Sequence, residues 1–288
     1  MKPFLTLLII FTLNLNVIAC LNGDSKTLKS GHYLYEDYFE SVPRGHFFYK
    51  PETKLTFKLD SLYKATKDID YLSDKGYVFI VQGKYEEAIQ LYLNIEKAHP
   101  NRYSTASNIG TAYELSGQSE KALPWIKKAI HLEPSSHHGS EWIHVNILEA
   151  KINQNDVINS DFLLQTSFGS SQIPTTTLSA QRLDTLKKQL FYQLNERVSF
   201  VKPKDKIVAV LYFDFGNMAL LKGNRRDAKN AYILARAYGY NNFSLLRSRM
   251  DLADGKKPEA NRNWIYWCAS FLLIAILFFF LMKNKGNK

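Results

Sequence analysis

The chain has 288 residues, room for one or two ordinary domains, and 45% of them are hydrophobic. Cys20 and Cys268 are the only cysteines and lie near opposite ends, which excludes a disulfide-stapled fold and leaves stability to packing. The net charge of +10 is uneven, with 16 basic and 19 acidic side chains over 20–179 against 14 and 5 over 180–249. No nucleic-acid-binding motif accompanies that basic half, so nucleic acid is not an expected partner.

The first 19 residues read as a secretory signal peptide: Lys2, an apolar run over 4–13, and small residues before a cut after Ala19. Asn14 and Asn16 end the run well short of the about 20 apolar residues that a membrane helix needs. The sequence Val17-Ile18-Ala19-Cys20 is also similar to a bacterial lipobox, which makes Cys20 a lipidation candidate. An ordinary cut that leaves Cys20 as a free thiol fits equally well.

Residues 20–60 form a lead-in rich in Tyr, Phe, Gly and His, including Tyr33, Tyr35, Tyr38, Phe39, Phe47, Phe48 and Tyr49. Pro43, Pro51 and the glycines break any long period, which predicts irregular structure packing its aromatics on the first helices. Leu55, Leu59, Leu62 and Tyr63 share one face of a helix expected over 55–67.

A helix-forming block then recurs with a period of 34 residues, over 69–102 and 103–136. Gly76, Gly83, Ala88 and Pro100 return as Gly110, Gly117, Ala122 and Pro134, and Phe79 and Tyr92 return as Tyr113 and Ile126. Such a period means one helical hairpin per unit, stacked on its copies because one hairpin cannot bury its own apolar face. Gly76 and Gly110 mark where paired helices come close, Gly83 and Gly117 supply the turn, and the prolines stop the second helix.

The same frame returns over 209–242 with Gly216, Gly223, Ala228, Tyr232 and Ala235, out of phase, so an insertion interrupts the array. The interval opens with a helix expected at about 138–153, which can start a degenerate third repeat. A Ser/Thr/Gly/Pro-rich loop over 166–177 follows, then a helix marked by Leu183, Leu186, Leu190 and Leu194.

The end of the chain predicts a transmembrane helix over 264–282. It is 19 residues long without a formal charge, roughly 28 Å at ~1.5 Å per residue. Trp264, Tyr266 and Trp267 sit at its entry, and 283–288 form a basic tail. A signal peptide followed by a stop-transfer helix places the body outside and the tail in the cytoplasm. The basic segment before the span either leans on anionic headgroups or is a solvated face of ordinary helices.

The repeat resembles the tetratricopeptide repeat (TPR) family, with small residues at Gly76, Ala88, Gly110, Ala122 and Ala129, large ones at Phe79, Tyr92 and Tyr113, and a closing proline. Leu72 and Ala106 replace the usual early tryptophan, and Ile95 replaces an alanine. The resemblance implies an all-α helical-hairpin solenoid over 61–250 that binds proteins or peptides. By resemblance, the first helix of each repeat lines a concave peptide groove. Its residues would be Ser73, Tyr77 and Ile80, then Ser107, Asn108, Thr111 and Glu114, then Asp214 and Asn217; a surface merely solvated, or filled by the chain's own aromatic lead-in, fits equally well. These do not reproduce the lysine–asparagine clamp that some members use for a carboxylate terminus.

For chemistry the sequence offers little. No Gly-x-Ser-x-Gly and no phosphate-cradling Gly-x-x-x-x-Gly-Lys occurs, and no cofactor is implied. His131, His137, His138 and His144 cluster around Glu141, and the spacing of His137, Glu141 and His144 would put them on one helical face able to hold a metal. A polar turn and helix start explains the same residues. Two readings follow: a membrane-anchored scaffold binding other proteins of a bacterial cell envelope, not an enzyme, or a metal-binding enzyme or accessory built on that cluster.

Overall fold

The computed structural model describes residues 25–258 except 39, 53 and 154–157. The expected signal peptide, Cys20, the expected span over 264–282 and the basic tail therefore lie outside the described residues. No helix among the described residues is long and apolar enough to cross a membrane.

The lead-in departs from expectation. It forms a three-stranded antiparallel meander, β1 (Ser25–Thr27), β2 (Tyr33–Asp37) and β3 (His46–Phe48), so neither an irregular lead-in nor an all-α fold holds for this part of the chain. Pairing of Tyr35 with Phe48 and Asp37 with His46 sends one set of side chains inward. Tyr35 there joins Leu28, Leu34, Leu55, Leu59, Tyr77 and Val78 in a core between the sheet and the first two helices. Aromatic residues suit a pleated, half-buried surface, and in strands this short they outweigh the nearby breakers.

The helices follow the expected order. α1 (Leu55–Thr66) leads into the hairpin of α2 (Asp70–Val81) and α3 (Tyr85–Ala98). A second hairpin pairs α4 (Tyr103–Leu115) with α5 (Ser119–Leu132). The later repeat is α10 (Lys206–Leu221) with α11 (Arg225–Tyr238), followed by α12 (Phe243–Ala253).

Each hairpin is built on the same glycine contact. A Cβ added to Gly76 would lie 2.6 Å from the Tyr92 ring, one at Gly110 2.4 Å from Ile126, and one at Gly216 2.5 Å from the Tyr232 ring. Glycine is required because the facing side chain, sixteen residues on, occupies the space a methyl would need. The turns also repeat. Gly83, Gly117 and Gly223 sit at φ of +73°, +82° and +77°. The next amide donates back to Phe79, Tyr113 or Ala219 at 2.8–2.9 Å, closing the helix end in a Schellman arrangement.

The insertion is where the array changes. α6 (Ser136–Gly139) is a single turn, and α7 (Glu141–Ile152) packs on α5 as the first helix of a further unit. Its partner shrinks to the five-residue α8 (Ser160–Leu164). No helix or strand occupies 165–179, matching the expected loop. The leucine-marked helix is longer than those leucines suggest: α9 (Ala180–Phe200) runs 21 residues from a Ser179 cap.

The direction of α9 shapes everything else. Leu183, Leu186, Leu190, Leu194 and Val198, along most of its length, pack in the large core with α7, α8 and the α10–α11 hairpin. Its C-terminal end reaches the early repeats, where Phe200 packs against both the Tyr77–Val78 and Ile80–Tyr92 clusters. The sheet abuts the same helix, with Phe48 and Phe200 centroids 5.4 Å apart. The concave side of the array is thus filled from within the chain.

Candidate functional site: a cleft between the insertion and the sheet

The positions assigned to a peptide groove are largely packed. Ser73, Tyr77, Ile80, Asn108, Asp214 and Asn217 are each 3% exposed or less. Tyr77 meets Tyr35 of the sheet with centroids 6.4 Å apart, and Asn108 donates to the Tyr92 hydroxyl at 2.9 Å. The Tyr92 hydroxyl in turn donates to the Ser73 carbonyl at 2.7 Å. Asn217 donates to Asp214 and accepts from Tyr232 and from buried Arg249, at 3.2, 2.9 and 2.7 Å. Burial pushes the Asp214 carboxyl up to about 7. Ser107, Thr111 and Glu114 line only a small pocket of ≈ 60 Å³, closed over by α9.

Glu114 is tied down on every side. Arg197 of α9 and Lys151 of α7 each reach it at 2.7 Å, and His144 Nε2 at 2.6 Å. Burial opposes its charge, but Arg197, Lys151 and His144 outweigh burial and hold the carboxyl well below the usual range. Burial would lower the His144 pKa, yet Glu114 and Glu141 outweigh it and raise it, with the ring bridging the two carboxylates.

The histidine cluster takes a different shape from the one expected. His137 and His138 have φ of 54° and 58°, and Gly139 has φ of 66°, a left-handed turn that precedes the helix, so His137 is not on the face of α7. Non-glycine residues in that region cost roughly 1–2 kcal/mol each. The Gln189 amide of α9 holds the turn by donating to the His138 and Gly139 carbonyls at 3.1 Å. Glu141 still joins the two histidines, bonding His137 Nδ1 and lying 3.3 Å from His144 Nδ1. His131 and His138 are exposed and stand apart from this pair. Both His144 nitrogens are taken by carboxylates, and no group of three or more potential ligands among the described residues is arranged for a metal.

Beside this network opens a cleft of ≈ 630 Å³ between the left-handed turn, α9 and the sheet. Its walls include Phe191, Tyr192 and Phe215, with Lys187, Lys188 and Glu133 among the charged residues. His137 stacks on Tyr192 at 4.6 Å, and its Nε2 lies 3.1 Å from the Tyr103 hydroxyl. Lys187 Nζ stands 5.1 Å over the Phe215 ring. The Ser136 hydroxyl, also lining the cleft, is buried and has no hydrogen-bond partner. This volume is in the range of sites that take a small molecule or a few side chains of a partner.

The sheet side of the cleft is fixed by His46, which sequence reasoning missed. Its side chain is 1% exposed, bonds Asp37 through Nδ1, approaches Glu196 at 3.0 Å through Nε2, and stacks on Tyr35 at 4.0 Å. Burial opposes its charge, but Glu196 and Asp37 outweigh it and push the pKa up to about 9. The contribution to stability is therefore full below the ordinary value of about 6.5 and is lost as pH rises through about 9. The melting temperature should fall between pH 7 and 10 more steeply for the native chain than for His46→Gln; equal slopes would refute this account. The alternation of 33–37 and the aromatic run at 46–49 were the available signals for this sheet.

No family model matches the sequence, and no curated protein matches it. A solved structure, a tetratricopeptide repeat protein from Parabacteroides merdae ATCC 43184, is similar at 14% identity and a TM-score of 0.30, covering 69% of this chain and 91% of that one. The hairpin reading rests on this chain's own geometry: the 34-residue period, the three glycine contacts and the three matching turns.

Proposed function

We propose that this protein is an exported scaffold, held at a membrane by the apolar stretch over 264–282, that binds other proteins of a bacterial cell envelope. The observation that carries the binding site is the cleft. With the concave face occupied by α9 and the sheet, the binding surface moves to the ≈ 630 Å³ opening walled by Phe191, Tyr192 and Phe215. Aromatic walls with a few charged groups at the rim suit a short segment of a partner, since buried aromatics supply contact area and the rim sets orientation. The absence of a recognisable nucleophile or phosphate-binding motif in the sequence supports binding over catalysis.

Cross-linking in the native envelope tests this reading. The intact chain should capture a defined partner, and Lys188→Glu combined with His138→Glu, both exposed cleft residues, should abolish the capture while helicity by circular dichroism is unchanged. Capture insensitive to the cleft changes, or no partner for a correctly folded chain, would overturn it.

A further inference from the structure

The outer face of the sheet carries aromatic side chains that no described residue covers. Tyr33, Tyr38, Phe47 and Tyr49 are 45%, 47%, 46% and 37% exposed. They form one continuous set: Phe47 and Tyr49 are 5.2 Å apart, Tyr33 and Tyr49 5.3 Å, and Tyr38 and Phe47 6.2 Å. Two of the tyrosines keep a polar end satisfied, with the hydroxyl of Tyr49 donating to Glu36 at 2.7 Å and that of Tyr33 at 3.4 Å. A contiguous exposed patch of this kind marks an interaction surface.

Three occupants are conceivable: a second copy, another protein, or a lipid surface. The residues that flank the sheet favour the lipid surface. Cys20 lies five residues before Ser25, where β1 begins, and five extended residues span at most ~17 Å. An acyl group on Cys20 would therefore hold the sheet within that reach of a bilayer. Tyrosine rings with an apolar body and a polar tip belong at the headgroup level. The chain leaving the patch adds Lys50, Lys54 and Lys58, all exposed and without an ion pair to any described residue, a charge that suits anionic headgroups.

We propose that the outer face of the sheet rests in the interfacial layer of a lipid bilayer, with Tyr33, Tyr38, Phe47 and Tyr49 among the headgroups and an acylated Cys20 as the tether. This rests on the membrane-held reading above and specifies which surface meets the lipid. It also gives the aromatic lead-in a task beyond filling the array.

Photo-cross-linking of the full-length chain in intact envelopes tests the proposal, with p-benzoylphenylalanine placed at position 47 and, as a control, at Ile233, a 38% exposed residue of α11. Mass spectrometry should find a lipid adduct on the peptide carrying position 47 and none on that carrying position 233, together with an acyl mass on Cys20. An adduct to another protein, an adduct to a second copy, no adduct at 47, or an unmodified Cys20 would each overturn it. Sedimentation with membranes after an alkaline wash is read on the same sample. A chain that stays in the membrane pellet but gives no lipid adduct refutes the docking alone, whereas a chain absent from the pellet refutes the membrane-held reading as well.

Discussion

Glu114→Ala should lower the unfolding free energy by about 3–5 kcal/mol, measured by urea titration at pH 7, the cost of leaving buried cations without their counter-charge. Three groups lose it at once: Arg197, Lys151 and His144. Their side chains are 7%, 27% and 11% exposed, so water can replace the carboxylate well only at Lys151. Glu114→Gln keeps the shape and removes the charge, and should recover only a small part of the loss. Because the folded carboxyl is held low, this stabilisation is present above the ordinary glutamate range and disappears as pH falls through the depressed value. A loss below about 1 kcal/mol, the size expected of an exposed pair, would show that the network is solvated and not structural.

The second large effect is expected at Arg249, which is fully buried despite standing in the basic stretch near the end of the body. Its guanidinium donates to the carbonyls of Phe168, Gly169 and Ser171 at 2.8–3.2 Å and to the Asn217 side chain at 2.7 Å, and it lies 5.8 Å over the Phe213 ring. Arg249 thus pins the loop after α8 onto the last hairpin. Arg249→Met fills similar volume but leaves these acceptors unsatisfied, at about 1–3 kcal/mol for each that stays buried. The loop should then be released: limited proteolysis should cut within 166–177 in the variant and not in the native chain. Arg249→Lys should not rescue it, because one ammonium cannot span acceptors spread across a planar fork. Equal protease resistance in native and variant chains would defeat this reading. Arg249 is also removed from the charges that could face headgroups, since no part of it reaches the surface.

The hairpins were legible because their constraint is local. Gly76 and Tyr92 belong to one hairpin, so the need for a small residue opposite a large one is written within sixteen positions and repeated at the next period. The loop over 166–177 was legible for a similar reason, through turn-forming composition. The sheet was not, because strands of three to five residues offer too few positions for an alternating pattern to stand out among glycines and prolines. For the groove positions the sequence leaves open whether the face is free or filled. Ser73, Tyr77 and Asn108 have the right register for a concave face, but whether that face is open depends on where α9 goes. Glu114 and Arg197 are 83 residues apart, and nothing in the periodicity of either segment announces their meeting. His46 was passed over because its two acidic partners come from β2 and α9, one nine residues away and the other 150.

The Glu114–Arg197 tie also bears on how the chain reaches its native state. Open stacks of hairpins contact only their nearest neighbours, so order can start anywhere and spread unit by unit. Here the early units are completed by a helix synthesised long after them. Loop closure over that separation must precede the gain, which slows assembly and couples both ends of the body into one transition. A fragment stopping after α5 would lack the strut on which its inner face depends, and partial melting from one end would not be the first step of denaturation.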